Sequence, residues 1–196
     1  MKIFIILICS LYLFSACSQQ STDKLQEGFS DAPAMVVAAE AGDLPTIRKL
    51  IDDDGQVDVQ DACMWTPLMK AALNGHLDIA QRLINAGADV NHVDKGGYSA
   101  AMLAASNNHY DIIELVLTHG ANIDQIEVTG GWTALIWATK LGHTESVKTL
   151  LTHQANRNIQ DFSKMTALDW AEKNQHSDIV SIFEISQPLS GQDVMK

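Results

Sequence analysis

Histidine is the residue type whose spacing in this chain is closest to that of a chemical site. Four histidines recur at intervals of 33, 34 and 33 residues: His76, His109, His143 and His176. Another pair, His119 and His153, is 34 residues apart. Because imidazole ligates metals and exchanges protons near neutral pH, such a series could hold a metal ion or transfer a proton, provided that the rings meet in space.

Other catalytic signatures do not occur in the sequence. There is no serine nucleophile elbow, no Gly-x-x-x-x-Gly-Lys-Ser/Thr loop, no His-Glu-x-x-His pair and no Cys-x-x-Cys pair. The Gly-Gly pairs at 96–97 and 130–131 could cradle a phosphate, but neither precedes Lys-Ser/Thr, so both are interpreted as hairpin turns. We therefore expect no enzyme activity, no catalytic residue, no cofactor and no small-molecule substrate.

The histidines belong to a longer segment that repeats along the chain. Residues 65–76, 98–109 and 132–143 align without gaps, and weaker copies begin near Met35 and Met165. Each copy contains turn-forming residues, a short alanine-rich stretch, a break and then a second apolar stretch with helical periodicity. Copies at steps of 33 and 34 residues predict a solenoid of stacked helix pairs.

The helix boundaries in each copy have a physical basis. The hydroxyl of Thr66 can accept a hydrogen bond from a free N–H group of the first helical turn. Pro67 occupies the first helical position, where its missing N–H costs nothing. Gly87 and Gly120 follow the second helices and suit the left-handed conformation that ends a helix. Each copy is thus expected to fold into two short helices.

Stacking also decides how the histidines are interpreted. Neighbouring helices lie about 10 Å apart, so equivalent side chains cannot share a metal ion whose ligand bonds are about 2 Å long. We therefore predict that the four histidines form a structural ladder and hold no metal. His119 and His153 obey the same geometry and are predicted to lie on the surface near helix ends.

Four motifs resemble the ankyrin repeat: Thr66-Pro67-Leu68, Ala71-Ala72, Gly75-His76 and Gly87-Ala88-Asp89-Val90-Asn91. The resemblance implies an all-α ankyrin-repeat solenoid of about five helix-turn-helix units joined by β-hairpin fingers. The repeats fill residues 31–187, and the units are placed as follows: 31–60, 61–93, 94–126, 127–160 and 161–187.

Two departures from the family pattern carry expectations of their own. The histidine that usually follows Thr-Pro-Leu is replaced in every copy: Val36, Met69, Met102, Ile136 and Asp169. Apolar packing is expected to take its place in the middle repeats. One extra residue between Asp124 and Trp132, within residues 125–131, is expected to lengthen the third finger without disturbing the stack.

The N-terminus predicts export. Residues 1–16 combine one positive charge, an apolar run at 3–14 and small residues before Cys17, as in a secretory signal peptide. The run is shorter than the roughly 20 apolar residues of a membrane-spanning helix. Its end resembles the bacterial lipobox, which implies lipidation of Cys17 and an outer-membrane anchor facing the periplasm. The alternative is a plain secretory signal that is cut near Ala16. Residues 17–30 are predicted to form a polar tether, and residues 188–196 a polar tail.

The net negative charge of the chain disfavours anionic partners. The chain has 13 basic and 24 acidic residues, a net charge of −11. Removal of residues 1–16 takes away Lys2 and no acid, leaving 12 basic residues and a net charge of −12. A surface of this sign is repelled by nucleic acid and by anionic lipid headgroups, so membrane contact is expected through the lipid alone and a basic protein partner is favoured.

The residue before each helix-capping Thr or Ser is the candidate binding position. It is large and apolar in four copies: Trp65, Tyr98, Trp132 and Met165. The family resemblance places this position along the concave side, where Trp and Tyr are typical of binding hot spots. Polar neighbours are predicted to form the rim: Cys63, Lys95, Asn107 and Lys140. In the alternative interpretation each aromatic ring only packs against the next finger; Trp137 and Trp170 are predicted to pack inside helices.

These observations favour a non-enzymatic protein-binding module anchored in the bacterial envelope. Resemblance to other envelope ankyrin proteins implies a periplasmic enzyme that is regulated or protected, or a secreted toxin that is neutralised. Three alternatives stay open: a structural lipoprotein, a metal-dependent enzyme built between residues 125–131 and the histidines, and an effector acting on a eukaryotic host. Anchoring through Cys17 speaks against the last of them.

Overall fold

The computed structural model describes residues 32–53 and 55–185. Ten α-helices occupy this part of the chain: α1 (Ala34–Ala41), α2 (Leu44–Asp52), α3 (Pro67–Asn74), α4 (Leu77–Asn85), α5 (Ala100–Ser106), α6 (Tyr110–Thr118), α7 (Ala134–Leu141), α8 (Thr144–Thr152), α9 (Ala167–Lys173) and α10 (Ser177–Ile185). Among them, none is both long and apolar enough to pass through a lipid bilayer. The predicted signal peptide, tether and tail lie outside the described residues.

Consecutive helices pack in five pairs, from α1 with α2 to α9 with α10. The first helix of each pair stacks on the first helix of the next, and the second helices form a second row in the same way. This arrangement of two helical rows confirms the predicted all-α solenoid.

The first helices begin and end where the sequence predicts. Thr66 Oγ1 accepts a hydrogen bond from the N–H of Met69 at 3.3 Å, and Ser99 and Thr133 cap their helices with the same bond. Gly75 ends α3 with a φ of 76°, a left-handed conformation that glycine adopts at little cost. The break between the two helices of a unit therefore follows from local chemistry.

Small and apolar side chains fill the space between repeats. Ala72 and Ala105 are fully buried where neighbouring first helices meet. Met69, Met102 and Ile136, which replace the family's usual histidine, are buried as well. Apolar packing in the middle repeats is thereby confirmed.

The fingers are tight hairpins with little strand structure. In each, the N–H of a carboxylate residue donates to the carbonyl of the residue before the cap, at 3.0–3.1 Å: Asp61 to Trp65, Asp94 to Tyr98, Glu127 to Trp132 and Asp161 to Met165. Within the described residues the β-pairing amounts to one isolated bridge, between Val93 and Ser99. One backbone hydrogen bond across each turn, together with bonds to the carboxylate side chain, holds the fingers in place of extended strand pairing.

The third finger has one extra residue, and a glutamate in place of aspartate accommodates it. Glu127 stands where the other fingers have aspartate, and its Oε1 accepts from the N–H groups of Gly130 at 2.7 Å and Trp132 at 3.0 Å. Its Oε2 accepts from the N–H and the hydroxyl of Thr129. One additional methylene lets the carboxylate span the longer turn, and α7 still stacks on α5, as predicted.

Candidate functional site

Two faces of the helix rows differ in composition. We use the name finger face for the four hairpins together with the first helices α1, α3, α5, α7 and α9. We use the name outer face for the second helices and the loops beside them. The predicted binding residues all belong to the finger face.

The predicted aromatic row is tied from finger to finger. Trp65 is half-buried, and its Nε1 donates to Oδ2 of Asp94 in the next finger at 2.9 Å. Trp132 is half-buried too, and its Nε1 lies 3.3 Å from Oδ2 of Asp161. The fourth member, Met165, is half-buried beside its own finger turn. The row thus braces adjacent fingers, while parts of both indole rings still face solvent.

Tyr98 is more deeply buried than was predicted for a member of the aromatic row. Its side chain is 7% exposed, and its ring packs 5.1 Å from that of Trp137. The hydroxyl of Tyr98 lies 3.0 Å from Oγ1 of Thr129 in the next finger, and burial raises the pKa of the phenol. Tyr98 is buried because its ring packs against Trp137 and its hydroxyl meets the next finger. Contact with a partner through this residue stays a prediction, and its ring has little surface to offer.

A cluster of indole rings and lysines occupies the end of the finger face nearer the C-terminus. Trp137 is buried as predicted and meets Trp132 edge to face, with ring centroids 5.6 Å apart. Lys140 Nζ lies 3.5 Å from the Trp132 ring centroid and 3.8 Å from that of Trp170. Lys173 Nζ lies 4.4 Å from the Trp170 centroid. These lysines cover indole surface and keep their charge at the edge of the cluster.

The remaining predicted rim residues lie on the same face. Cys63 is half-buried in the first finger, where its N–H donates to Asp61 Oδ1 at 2.8 Å. Lys95 is exposed and donates to the carbonyl of Ala62 at 2.7 Å. Asn107 is exposed at the end of α5. Their participation in binding stays a prediction.

Two apolar fingertip residues were missed by sequence reasoning. Val128 is 64% exposed and Phe162 is 65% exposed, each directly after the carboxylate that holds its finger. Their N–H groups donate to the carbonyls of Gly96 and Gly130 in the preceding fingers, both at 2.9 Å. The same backbone bond therefore fixes both fingertips and turns their side chains outward. The register position after each finger carboxylate was the signal that could have identified them.

The histidines form the predicted ladder. Nε2 of His76, His143 and His176 donates to carbonyl oxygens of the preceding repeat at 3.1–3.3 Å. The rings of His76, His109 and His176 pack over the glycine that ends the preceding first helix: a Cβ placed on Gly75 would lie 2.5 Å from Cε1 of His109. Burial lowers the pKa of His143, which favours its neutral form. Within 32–53 and 55–185, no group of three or more His, Cys, Asp or Glu side chains is arranged to hold a metal.

The second pair of histidines lies near the ends of α6 and α8, as predicted. His119 is exposed and its Nδ1 donates to the carbonyl of Leu115 at 2.8 Å. His153 Nε2 lies 2.7 Å from Oε2 of Glu114 on the neighbouring second helix. Both histidines therefore bond within or between outer-face helices.

Charge is divided between the two faces. Most exposed carboxylates lie on the outer face: Asp43, Asp52, Asp53, Asp78, Asp89, Asp111, Glu114, Glu145, Asp178 and Glu184. The basic residues described on that face are fewer: Arg48, Lys49, Arg82, Lys148 and Arg157. The finger face carries five lysines and, outside the finger turns, three exposed acids: Lys70, Lys95, Lys140, Lys164, Lys173, Glu40, Asp169 and Glu172. Lys70 pairs with Glu40 at 3.3 Å. The exposed negative charge of the described residues is thus concentrated on the outer face.

Two exposed acids on α9 belong to the end of the solenoid. Asp169 and Glu172 are exposed, whereas their equivalents in α7, Ile136 and Thr139, are buried against the next repeat. Asp169 also accepts from the N–H and hydroxyl of Thr166, which lowers its pKa. An end repeat must present a polar surface to water, and these acids supply it.

Fold and site together define a helical-repeat protein of the interaction-module class, with two helical rows and rigid fingers. A model of ankyrin repeats in three copies matches residues 35–127 and 125–186, so the chain belongs to the ankyrin-repeat family. Comparison with curated proteins gave no match. Ankyrin repeats are general protein–protein interaction modules and are typically non-enzymatic.

Proposed function

We propose that this chain is a protein-binding module of the bacterial envelope, anchored by lipid at Cys17 and engaging a partner protein through its finger face. Binding requires no chemistry, and the partner is proposed to be a protein of the periplasm whose activity the complex regulates or protects. Lipidation at Cys17 would hold the solenoid close to the membrane through the short tether 17–30.

The observation that carries the proposal is the braced aromatic surface. Trp65 and Trp132 are half-buried and their indole nitrogens are bonded to the next finger. A surface fixed in this way loses little conformational entropy when a partner binds, and Trp is enriched at energetic hot spots. The exposed Val128 and Phe162 extend this surface to the fingertips.

The binding test uses residues that can change without harm to the fold. We would compare the full-length chain, purified in mild detergent, with a Val128→Ser/Phe162→Ser variant in co-purification from envelope extracts. Both side chains are about two-thirds exposed, so their replacement leaves the core intact. The matched control is Leu77→Ser/Tyr110→Ser, which changes outer-face residues that are 39% and 50% exposed.

We expect a partner that co-purifies with the native chain and with the outer-face control but is lost from the fingertip variant. Equal capture by all three chains, or loss from the outer-face control alone, would refute binding through the finger face. Replacing Tyr98 would be a poor choice, because its burial makes loss of folding and loss of binding indistinguishable.

Anchoring is tested separately by radiolabelled palmitate in a bacterial host. The native chain should take up label and sediment with the outer membrane, while Cys17→Ser should take up none and leave the membrane fraction. Labelling that persists in Cys17→Ser, or a native chain without label, would contradict the proposed anchor.

A further inference from the structure

We propose that the half of the finger face nearer the C-terminus binds an acidic segment of the partner that also carries large apolar side chains. This basic and aromatic patch comprises Lys140, Lys164, Lys173, Trp132, Trp170 and Phe162. The inference rests on the proposed protein-binding function and adds the chemistry of the segment that is bound.

Positive charge is held at fixed points of the patch. Lys140 Nζ lies between two indole rings, 3.5 Å from the Trp132 centroid and 3.8 Å from the Trp170 centroid. Lys173 lies against the other side of the cluster, 4.4 Å from the Trp170 centroid. Lys164 is exposed in the fourth finger, in a left-handed turn with a φ of 63°. The ammonium groups of Lys140 and Lys173, which are held by rings, lose less side-chain freedom when they pair with a carboxylate.

The carboxylates of these two fingers offer no oxygen to a ligand. Glu127 is fully buried and Asp161 is 2% exposed. Oxygen atoms of Asp161 accept from the indole nitrogens of Trp170 at 2.8 Å and Trp132 at 3.3 Å, and from two N–H groups of its own finger. Their charge is compensated inside the turn, so the charge presented to a partner comes from the lysines.

The sign of this patch differs from the sign of the whole chain. The net charge of −11 led to the expectation of a basic partner. Exposed acids of α9, Asp169 and Glu172, occupy positions that are buried between repeats elsewhere, which places them on the solenoid end. A basic segment would meet lysines at the patch, whereas an acidic segment would be attracted to it and repelled from the outer face.

Apolar surface identifies a polypeptide as the best match among anionic ligands. Phe162 is 65% exposed in the fourth finger, and Val128 is 64% exposed in the neighbouring third finger. Side chains such as Leu or Phe, placed between Asp or Glu residues, could pack on this apolar surface while the acids pair with the lysines. Nucleic acid would be repelled by the overall negative charge.

A peptide-display selection tests the inference. A library of random twelve-residue peptides would be selected on the full-length chain in mild detergent, and the binders measured by fluorescence polarisation. The charge variant is Lys164→Glu/Lys173→Glu, and its matched control is Lys49→Glu/Lys148→Glu, with the same change of charge on exposed outer-face lysines. Phe162→Ser tests the apolar contribution.

We expect selected peptides rich in Asp, Glu and large apolar residues. Their affinity should fall by about tenfold or more in the charge variant, remain within about twofold in the control and weaken with added salt. Peptides that are basic or uncharged, or an equal loss in the control, would overturn the inference.

The remaining outcomes separate the two proposals. Binding lost in Phe162→Ser but kept in the charge variant would refute the acidic chemistry and leave the protein-binding face intact. Binding indifferent to both changes, or no selected peptide, would refute the finger face itself. Binding to phosphatidylglycerol vesicles, lost in the charge variant in place of peptide binding, would assign the patch to a lipid surface and overturn the inference.

Discussion

Replacing Asp161 by alanine tests whether buried carboxylates hold the fingers and the first helices together. Oδ1 of Asp161 accepts from the N–H groups of Ser163 at 2.8 Å and Met165 at 3.0 Å. Its Oδ2 accepts from the indole nitrogens of Trp170 at 2.8 Å and Trp132 at 3.3 Å. One side chain therefore joins its own turn, the preceding finger and α9.

The cost of the substitution follows from these bonds. A hydrogen bond to a charged group contributes about 1.5–3 kcal/mol, and an unsatisfied buried donor costs about 1–3 kcal/mol. Water can replace the carboxylate at the exposed fingertip near Ser163, so the peptide bonds contribute little. The estimate therefore includes the full contribution of the 2.8 Å bond from Trp170 and part of the contribution of the 3.3 Å bond from Trp132. We expect Asp161→Ala to lower the free energy of unfolding by about 3 kcal/mol.

Urea unfolding at pH 7 measures this difference. Far-ultraviolet circular dichroism follows the helices and tryptophan fluorescence follows the aromatic cluster, because repeat arrays can unfold in more than one step. The control is Asp111→Ala on the outer face, which removes the same charge from an exposed site where the carboxylate accepts from the adjacent Ile112 N–H at 2.8 Å. We expect a change of about 0.5 kcal/mol or less there. Equal destabilisation by both variants would refute the role of the buried carboxylate.

Three further predictions concern the pH dependence of stability, the histidine ladder and the aromatic row. Burial alone would raise the pKa of Glu127 and of Asp161, but the hydrogen bonds that each accepts hold the pKa below its ordinary value. Stability should therefore be constant above the unfolded carboxyl pKa of about 4 and fall as the pH drops through the lower folded pKa values, measured by urea titrations between pH 2.5 and 7. Gly75→Ala should destabilise by about 2 kcal/mol more than Gly87→Ala in the same assay, because both residues have positive φ but only Gly75 lies against a histidine ring. Trp65→Phe should cost about 1 kcal/mol, because the ring stays while the 2.9 Å bond to the next finger is lost.

Each of these predictions has a contrary result. Stability that rises on acidification would contradict the depressed carboxyl pKa values. Equal effects of the two glycine substitutions would show that backbone strain, rather than packing on the ring, dominates. A Trp65→Phe variant as stable as the native chain would show that the indole bond adds nothing.

The elements of the solenoid were predictable because their signals are local. A Thr or Ser cap, a helical stretch and a terminal glycine act within a few residues, and α3 begins and ends where Pro67 and Gly75 predict. The histidine ladder was predictable for a related reason. A fixed repeat length places equivalent side chains one helix spacing apart, whatever the details of packing.

The candidate site was only partly predictable. The positions of Trp65 and Trp132 on the fingers followed from the register, but their bonds to the next finger link residues 29 positions apart. Tyr98, at the same register position, is buried because Trp137 packs against it. No local signal distinguishes a buried member of such a row from a half-exposed one.

By itself, the sequence determined the repeat, its helices, its structural histidines and the position of the fingers, since these depend on turns, caps and spacing along the chain. Only the tertiary structure determined how charged groups are distributed between the interior, the finger face and the outer face. Carboxylates of the fingers turn inward to bond N–H groups, carboxylates of the second helices stay in water, and lysines such as Lys140 lie against indole rings. The sum of charges cannot reveal this separation, because burial and hydrogen bonding determine which charges a partner meets.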